Sequence, residues 1–264
     1  MNDVWEIYAL KYAERNSRTR NDSFLFDDNH DVQHDMDYYL WLLKSPTQTI
    51  LVDTGYDTQE GIARNRPVKV EPATLLKRFG IAPDTIDTVI ITHLHYDHAG
   101  SLPEFNAATF HVQEHEMAYA TGPCMCHDIL KMPFTGEHIV EMVRKLYSGR
   151  LVFHNGAGTI APGVEVHLIG GHSRGLQCVR VKTRRGWMVL ASDASHYYEN
   201  YLFAKPFPIV VDLEDMLRGF ETLVALAESK NHIIPGHDPL VRQYYPSHGD
   251  ECVYRLDADP LKSV

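Results

Sequence analysis

Apolar residues recur along the chain in short runs, rich in β-branched and aromatic residues, that end at glycine, proline or acidic residues. Runs of this length and composition are typical of β-strands. Five predicted strands lie in the first half of the chain: Trp5–Tyr12, Asp37–Lys44, Thr49–Val52, Thr88–Thr92 and Thr109–Val112. Four more lie in the second half: Val164–Ile169, Gln177–Thr183, Trp187–Ala191 and His232–Ile234.

Other segments space their apolar residues three to four apart, which predicts helices. They are Glu71–Phe79, which stops at Gly80, and then Glu114–Ala120, Glu137–Tyr147 and Leu213–Ser229. This order of elements predicts two packed sheets with helices outside, a four-layer α/β sandwich. No repeat or linker divides the sequence, so residues 1–264 are expected to form one domain. The less regular segment 121–149 is expected to line a pocket near the active site.

The charge balance argues against several kinds of partner. The chain has 25 Lys and Arg against 35 Asp and Glu, a net charge of −10, and no basic patch for nucleic acid. No apolar run approaches the roughly 18 residues of a membrane span, and no signal peptide is evident, so we expect a cytoplasmic protein without a membrane partner. The four cysteines contain no C-x-x-C pair and are expected to be reduced thiols.

The 16 histidines are the unusual feature of the composition, and they lead to a candidate site. The sequence T-H-L-H-Y-D-H-A-G follows the fourth predicted strand and places four metal-binding side chains within six residues. In extended chain, side chains two residues apart point to the same side, so His93 and His95 can bind one ion. A turn after His95 directs Asp97 and His98 toward a second ion. This cluster predicts a metal site.

Three further predicted strands end at a residue that can bind metal. His172 follows the sixth strand through two glycines, Asp193 follows the eighth, and His237 follows the ninth through Gly236. A single acidic residue at a strand end is more often a helix cap or a turn residue. The recurrence of the same layout at three strand ends instead indicates additional ligands of one metal centre.

The motif around His93 resembles the H-x-H-x-D-H motif of the metallo-β-lactamase superfamily, and L-V-D-T-G at residues 51–55 resembles its early D-T-G turn. The segments G-H-S, S-D and G-H-D, which contain the three strand-end residues, match its remaining ligand positions in the expected order. The resemblance extends over about residues 38–240. It implies the αβ/βα sandwich fold with a dinuclear metal site.

The resemblance also implies how the ligands are shared between the two ions. One ion would be held by His93, His95 and His172, the other by Asp97, His98 and His237, with Asp193 as the bridge. Asp53 would orient the ligand loops. Imidazole and carboxylate ligands without thiolate suit two Zn²⁺ per chain, although Mn, Fe or Co would bind the same side chains. Di-iron relatives with redox roles carry Glu where this chain has His95, which favours hydrolysis.

Within the superfamily, the chain is most similar to the N-acyl homoserine lactonase-like branch. This implies a zinc-dependent hydrolase that opens a lactone ring, with Asp97 orienting the attacking water and carrying its proton. That branch has Tyr three residues after the bridging Asp. This chain has His196 there, followed by Tyr197, and either is a candidate for holding the substrate carbonyl. Alternatively, His196 caps a short helix.

Other interpretations stay open from the sequence. The same site would hydrolyse another ester, a thioester or a cyclic amide, and a non-catalytic metal-binding protein is a third hypothesis that the complete ligand set disfavours. The expected partner is a small lactone or ester. Apolar residues such as Trp5 and Tyr8, if they lie at the surface, permit a homodimer.

Two groups of residues fit more than one role. His30 and His34 lie in an acidic segment that is expected to be a solvated flap near the pocket. Four apolar residues fit either a pocket lining or ordinary core: Phe203, Phe207, Met125 and Met132.

Overall fold

Strands that are apolar on both faces force the chain into layers. In the computed structural model, which describes residues 4–262, the strand Met36–Lys44 buries every residue except its last. Successive side chains of a strand point to opposite faces. Tyr39 and Trp41 therefore belong to one core and Tyr38 and Leu40 to the other. Such a strand must be covered on both sides, here by a second sheet and by helices.

The first sheet has seven strands, and its order brings the two ends of the chain together. Its strands are β1 (Glu6–Arg15), β2 (Met36–Lys44), β3 (Thr49–Val52), β4 (Thr88–Ile90), β5 (Thr109–Gln113), β6 (Leu151–His154) and β12 (Val253–Arg255). The spatial order is β12-β1-β2-β3-β4-β5-β6. The pairs from β12 to β3 are antiparallel, and those from β3 to β6 are parallel.

The second sheet has five strands in the spatial order β11-β10-β9-β8-β7. They are β7 (Gly158–Ala161), β8 (Val164–Leu168), β9 (Gln177–Thr183), β10 (Gly186–Ser192) and β11 (Ile233–Pro235). The pair β10–β11 is parallel, and the other pairs are antiparallel. Val179 and Val189 of this sheet share a core with Trp41 of the first sheet, so the two sheets pack face to face.

Helices cover the outer faces of both sheets. The α-helices are α1 (Arg20–Ser23), α2 (Thr58–Ala63), α3 (Pro72–Arg78), α4 (Glu114–Ala120), α5 (Asp128–Lys131), α6 (Gly136–Tyr147), α7 (Tyr198–Phe203), α8 (Leu213–Leu226) and α9 (Val241–Tyr244). Leu75 of α3 and Met142 of α6 pack with the first sheet, and Phe220 of α8 packs with the second. The predicted four-layer sandwich is confirmed. In the range 4–262, no helix combines the length and apolar character that crossing a membrane requires.

The predicted strands and helices are present with small shifts at their ends, and the differences have physical causes. Helix α8 ends at Leu226 rather than Ser229, because the chain becomes extended at Ala227 and Glu228 N donates to Trp187 O of β10. The apolar pattern of the sequence did not predict β6, β7 and β12, nor the helices α1, α2, α5, α7 and α9. These elements are short, and β6 is largely accessible, so their apolar pattern is weak.

The two residues taken to permit a dimer surface do not lie at the surface. Trp5 and Tyr8 are buried within the chain itself. The indole Nε1 of Trp5 donates to Pro162 O beside the second sheet, and the Tyr8 ring packs edge-on against Phe79. The interpretation of these residues as an interface is therefore wrong, because their apolar surface already stabilises this fold.

Truncation of a residue in the core shared by the sheets tests the packing. Leu190 on β10 is fully buried, so Leu190→Ala is expected to lower the free energy of unfolding by about 2–5 kcal/mol through lost burial and a residual cavity. Leu261→Ala is the matched control, since that side chain is 65% exposed. Urea unfolding of both variants measures the difference. Equal urea midpoints for the Leu190→Ala and Leu261→Ala variants would contradict the assignment of Leu190 to the core.

Candidate metal centre

Four loops leave the two sheets at one edge of the sandwich and carry the predicted ligands. β3 and β4 are parallel neighbours in the first sheet, and β10 and β11 are parallel neighbours in the second. The carboxyl ends of such strands lie side by side, which brings the loops that follow them together. The loop after β4 carries His93, His95, Asp97 and His98. The loop after β8 carries His172, the loop after β10 carries Asp193, and the loop after β11 carries His237.

Asp193 lies at the centre of these side chains. Its Oδ2 is 3.2 Å from His172 Nε2 and 3.8 Å from His93 Nε2. Its Oδ1 is 3.2 Å from His98 Nε2 and 3.0 Å from His237 Nε2. Each carboxylate oxygen therefore faces a different pair of imidazoles, which is the arrangement required of a residue that bridges two ions.

The remaining predicted ligands complete the two sets. Asp97 Oδ2 is 3.7 Å from Nε2 of both His98 and His237. The His95 ring lies 4.5 Å from the rings of His93 and His172. Ligand atoms lie within 4.8 Å of one another in four overlapping groups of three: His93–His95–His172, His93–His98–Asp193, Asp97–His98–His237 and His172–Asp193–His196. The structure brings all seven predicted ligands together and adds His196.

Several buried atoms at this centre have no hydrogen-bond partner among residues 4–262. They are Nε2 of His93, His98 and His172, and Oδ1 of Asp193. Buried polar atoms in folded proteins almost always have a partner, so such a concentration needs an explanation. Nitrogen and carboxylate oxygen are the donor atoms that divalent transition metals prefer. The residues present therefore fit two divalent cations.

The other nitrogen of these rings is held in place by the fold. His98 Nδ1 donates to Asp53 Oδ2 at 2.7 Å, and His172 Nδ1 donates to Ile209 O at 2.7 Å. His237 Nδ1 donates to Asp37 O at 2.9 Å. A ring whose Nδ1–H is bound in this way presents the lone pair of Nε2 toward a metal. The hydrogen bonds thus fix both the tautomer and the orientation of the ligands.

The electrostatic field at the centre favours positive charge. Burial alone would lower the pKa of His98, but the carboxylates of Asp193, Asp97 and Asp53 outweigh it and raise that pKa well above its usual range. Burial would raise the pKa of Asp193, but the surrounding imidazoles hold it well below its usual range. Burial lowers the pKa of His93 strongly, which keeps that ring neutral. Ionised carboxylates and neutral imidazoles are the forms that bind metal, so metal binding would displace the proton that the surrounding carboxylates favour on His98.

Asp53 ties the end of β3 to the motif loop. Its carboxylate accepts hydrogen bonds from Thr92 N at 2.7 Å and Thr92 Oγ1 at 2.8 Å, in addition to that from His98. Its φ of 62° is in the left-handed region that residues with a side chain rarely adopt. This strained backbone conformation places the buried carboxylate of Asp53 against Nδ1 of His98.

Close backbone approach brings His237 to the bridging carboxylate. A Cβ atom on Gly236 would lie 2.7 Å from Ser192 O and 2.9 Å from Asp193 Oδ1, closer than side chains tolerate. Glycine is therefore required before His237, which explains the G-H sequence at this strand end.

Of the three predicted catalytic residues, Asp97 and His196 line a narrow cleft in front of Asp193. The Nε2–H of His196 donates to Asp193 Oδ2 at 2.9 Å, and the His196 ring stacks on Phe207 at 3.7 Å. Burial lowers the pKa of His196 to about 3, so the ring is neutral at physiological pH. His196 is thus in contact with the predicted ligand Asp193, and the N-cap position of the short helix is occupied by Tyr197 instead.

Tyr197 is not brought to the centre. Its hydroxyl lies 3.4 Å from Ser23 Oγ, and its ring packs against His34 at 4.3 Å. Tyr197 is the residue before α7, and its side chain packs against Phe24 and His34 rather than against the predicted ligands. His34 is partly buried by this contact, so the expectation of a solvated flap is wrong for that residue.

A family model described as the metallo-beta-lactamase superfamily matches residues 38–241. The chain belongs to the metallo-β-lactamase superfamily. It is 30% identical to an N-acyl homoserine lactonase of Bacillus thuringiensis over 218 residues, which covers 76% of this chain and 80% of that protein. The predicted membership of the lactonase-like hydrolases of this superfamily is thereby confirmed.

Solved structures share the fold. A quorum-quenching N-acyl homoserine lactone hydrolase is 25% identical with a TM-score of 0.73, covering 90% of this chain and 94% of that chain. A dizinc quorum-quenching lactonase in complex with the product N-hexanoyl-L-homoserine is 16% identical with a TM-score of 0.70, covering 90% of each chain. Both likenesses show that this chain shares its fold with these proteins.

An apolar cavity of about 430 Å³ opens beside the predicted metal ligands and is lined in part by His95 and His172. Segment 121–149 contributes Leu130 and Met132 to its wall. The other three apolar residues with an undecided role have different positions: Phe207 is buried core, Met125 packs beside core residues, and Phe203 is exposed.

Sequence reasoning missed one buried carboxylate that holds two ligand loops of the superfamily site together. Glu116 of α4 accepts from Leu94 N at 2.9 Å, between the first two motif histidines. It also accepts from Ser173 Oγ at 2.6 Å and Gly175 N at 2.9 Å, directly after His172. A glutamate in the first turn of a helix is usually explained by the helix dipole, so the sequence offered no signal for this contact.

Glu116→Gln is expected to weaken metal binding about 10–100-fold, the effect typical of losing a residue that supports the ligands. The amide keeps the shape but turns an NH₂ group toward backbone N–H donors. Competition with a chromophoric chelator measures the affinity. Glu114→Gln, an exposed change on the same helix, is the control. Metal affinity equal to that of the unmodified protein would show that Glu116 does not position the loops.

Proposed function

We propose that the chain is a dizinc hydrolase that opens the ring of a lactone. The observation that carries the proposal is the position of Asp193, with one carboxylate oxygen facing each of two groups of buried imidazoles. Thiolate is absent from the proposed ligand set, and imidazole with carboxylate suits Zn²⁺. A dizinc relative with the same fold is a lactonase, which supports this choice of metal and substrate.

Two divalent cations held by these residues would supply a bound water with its pKa lowered to about 7 and would polarise a carbonyl oxygen. In the overall reaction, the water oxygen bonds to the lactone carbonyl carbon and the ring C–O bond breaks. The leaving oxygen takes a proton, and the product is a hydroxy acid. Asp97 faces the cleft beside His98 and His237, and we assign to its carboxylate the acceptance of the water proton and its transfer to the leaving oxygen.

His196 has a different role from the one suggested by its position in the sequence. A neutral imidazole has a single N–H group, and in His196 that group donates to Asp193. The same ring therefore cannot also donate to a substrate carbonyl. We assign to His196 the positioning of the bridging carboxylate, with Phe207 holding the ring by stacking.

The apolar cavity fits a substituent of the lactone. It adjoins His95 and His172, so a ring held at the metal ligands would place an attached acyl chain among Leu130, Met132 and Ile209. N-acyl homoserine lactones, the substrates named for the relatives, have such a chain and are the first compounds to test. We propose that segment 121–149 acts as the wall that selects the chain length.

Metal-loaded protein is expected to open simple and acyl-substituted lactones, and chelation with EDTA should abolish the activity until Zn²⁺ or Mn²⁺ is restored. Asp193→Ala is expected to reduce bound metal below two ions per chain and turnover by at least 10³-fold, because both ions lose a ligand. Asp259→Ala, an exposed carboxylate at 85% accessibility, is the control.

A panel of lactones, thioesters, open esters and lactams, together with metal analysis, separates the hypotheses. Faster hydrolysis of thioesters, open esters or lactams than of lactones would replace the lactone assignment while retaining the site. Full activity of Asp193→Ala would overturn the dinuclear mechanism. Absence of metal and of hydrolysis across the whole panel would favour a non-catalytic role.

Filling the cavity tests its role in substrate selection. Leu130→Trp is expected to lower kcat/KM for long-chain acyl homoserine lactones about tenfold and to leave the unsubstituted ring unaffected, because only the chain reaches that wall. Val140→Trp, an exposed change on α6, is the matched control. An equal loss on both substrates would place Leu130 in general support of the site instead.

A further inference from the structure

Two arginines line the narrow cleft in front of the metal ligands. The cleft has a volume of about 60 Å³, room for a group of a few heavy atoms. Arg18 and Arg66 lie on its walls together with Tyr38, Asp97 and His237. The carboxylates of Asp97 and Asp193 in the same lining belong to the proposed metal ligands, so Asp22 is the acidic residue of the lining that remains beside the two arginines.

Arg18 is buried without using all its donors. Its Nη2 donates to Asp22 O at 2.5 Å and to Ser23 Oγ at 3.4 Å, both neutral acceptors. Its Nε has no hydrogen-bond partner in the part of the chain that the structure describes, although the side chain is more than nine-tenths buried. The Asp22 carboxylate, which accepts from Thr19 N at 2.9 Å, makes no direct hydrogen bond to Arg18, although the charge of Arg18 contributes to lowering the pKa of Asp22.

Arg66 is held by aromatic residues. Its Nη1 donates to the Tyr96 hydroxyl, and its guanidinium carbon lies 5.1 Å from the centre of the same ring. The Tyr96 hydroxyl is 3.4 Å from that of Tyr38, which also lines the cleft. These contacts fix the position of the guanidinium but leave most of its N–H donors available.

Neither arginine has an acidic partner within residues 4–262, where no carboxylate oxygen lies within 4.0 Å of Arg18 or Arg66. Neighbouring arginines do: Arg20 pairs with Asp27 and Glu199, and Arg64 pairs with Glu60. A buried or half-buried cation without a counter-charge is unfavourable unless a ligand supplies that charge. Two such cations at one cleft therefore indicate an anionic ligand.

We propose that Arg18 and Arg66 bind a carboxylate carried by the substrate, so that the preferred lactone has an anionic substituent. The planar guanidinium matches a carboxylate in shape and donor spacing. Arg18 and Arg66 line only the cleft, Leu130 and Met132 line only the apolar cavity, and the metal ligands His95 and His172 line both. A lactone ring at the metal ligands would have its carboxylate on one side and its apolar substituent on the other.

This inference rests on the proposed lactonase activity and is tested with two lactones of nearly equal shape. The probes are γ-butyrolactone with a γ-carboxylate and the same ring with a γ-carboxamide. For the unmodified protein, kcat/KM is expected to be about 10–100-fold higher for the carboxylate, the range for hydrogen bonds to a charged group. In Arg18→Met and in Arg66→Met, the preference is expected to fall below about threefold.

Arg78→Met is the matched control, because it removes the same charge at a site where Arg78 pairs with Asp250 away from the cleft. It should keep the full preference. Calorimetric binding of the ring-opened hydroxy diacid and of its monoamide supplies a second readout that needs no turnover. The unmodified protein should bind the diacid more tightly, and both cleft variants should lose this difference.

Each result decides one question. If neither lactone is hydrolysed but the diacid still binds more tightly through both arginines, the proposed activity fails and the anion site stands. Equal kcat/KM and equal binding of the charged and neutral compounds by the unmodified protein would overturn the anion site. So would a preference that survives in both cleft variants, or an equal loss of kcat on both lactones, which would assign the arginines to the ester group instead.

Discussion

The buried carboxylate of Asp193 is the constraint on which this edge of the sandwich depends. A charge removed from water must be compensated nearby, and here His98, His172 and His237 from three other loops face the carboxylate at 3.0–3.2 Å. Those loops come from both sheets, so the sheets must pack with their strand ends in register. The need to compensate the charge of Asp193 therefore constrains how the two sheets are positioned relative to each other.

Two further buried carboxylates make the ligand loops rigid. Asp53 bonds the backbone before the motif and the back of His98, whereas Glu116 bonds the backbone inside the motif and after His172. Loops are usually the mobile parts of a domain. Here the backbone N–H groups of the loops are occupied by fixed acceptors, which preorganises the imidazoles before any ion arrives.

The sequence was sufficient for nine of the twelve strands in residues 4–262 and for the seven proposed ligands that the structure brings together, because both depend on local patterns: an apolar run followed by a polar residue. It was not sufficient for Glu116, whose partners lie 22 and 59 residues away. Nor could it decide between His196 and Tyr197, since the choice depends on how the chain turns into α7 and on the stacking of His196 on Phe207. Contacts between segments that are distant in the chain produce no repeating pattern of apolar and polar residues, so the sequence does not indicate them.

The proposed metal ligands and the walls of the substrate pocket differ in the same way: local sequence patterns indicate the ligands but not the walls. The regular strands position the ligands, but the walls of the cleft and cavity come from irregular segments that a superfamily fold leaves free to vary. One wall is held by ion pairs: Arg20 bonds Asp27 at 2.6 Å and Glu199 at 2.8 Å, which anchors the segment that carries Arg18 to α7. Because α7 follows directly from the Asp193 loop, the anchor connects the cationic wall to the metal centre. A change in that segment would alter the choice of substrate while the ligand geometry stays the same.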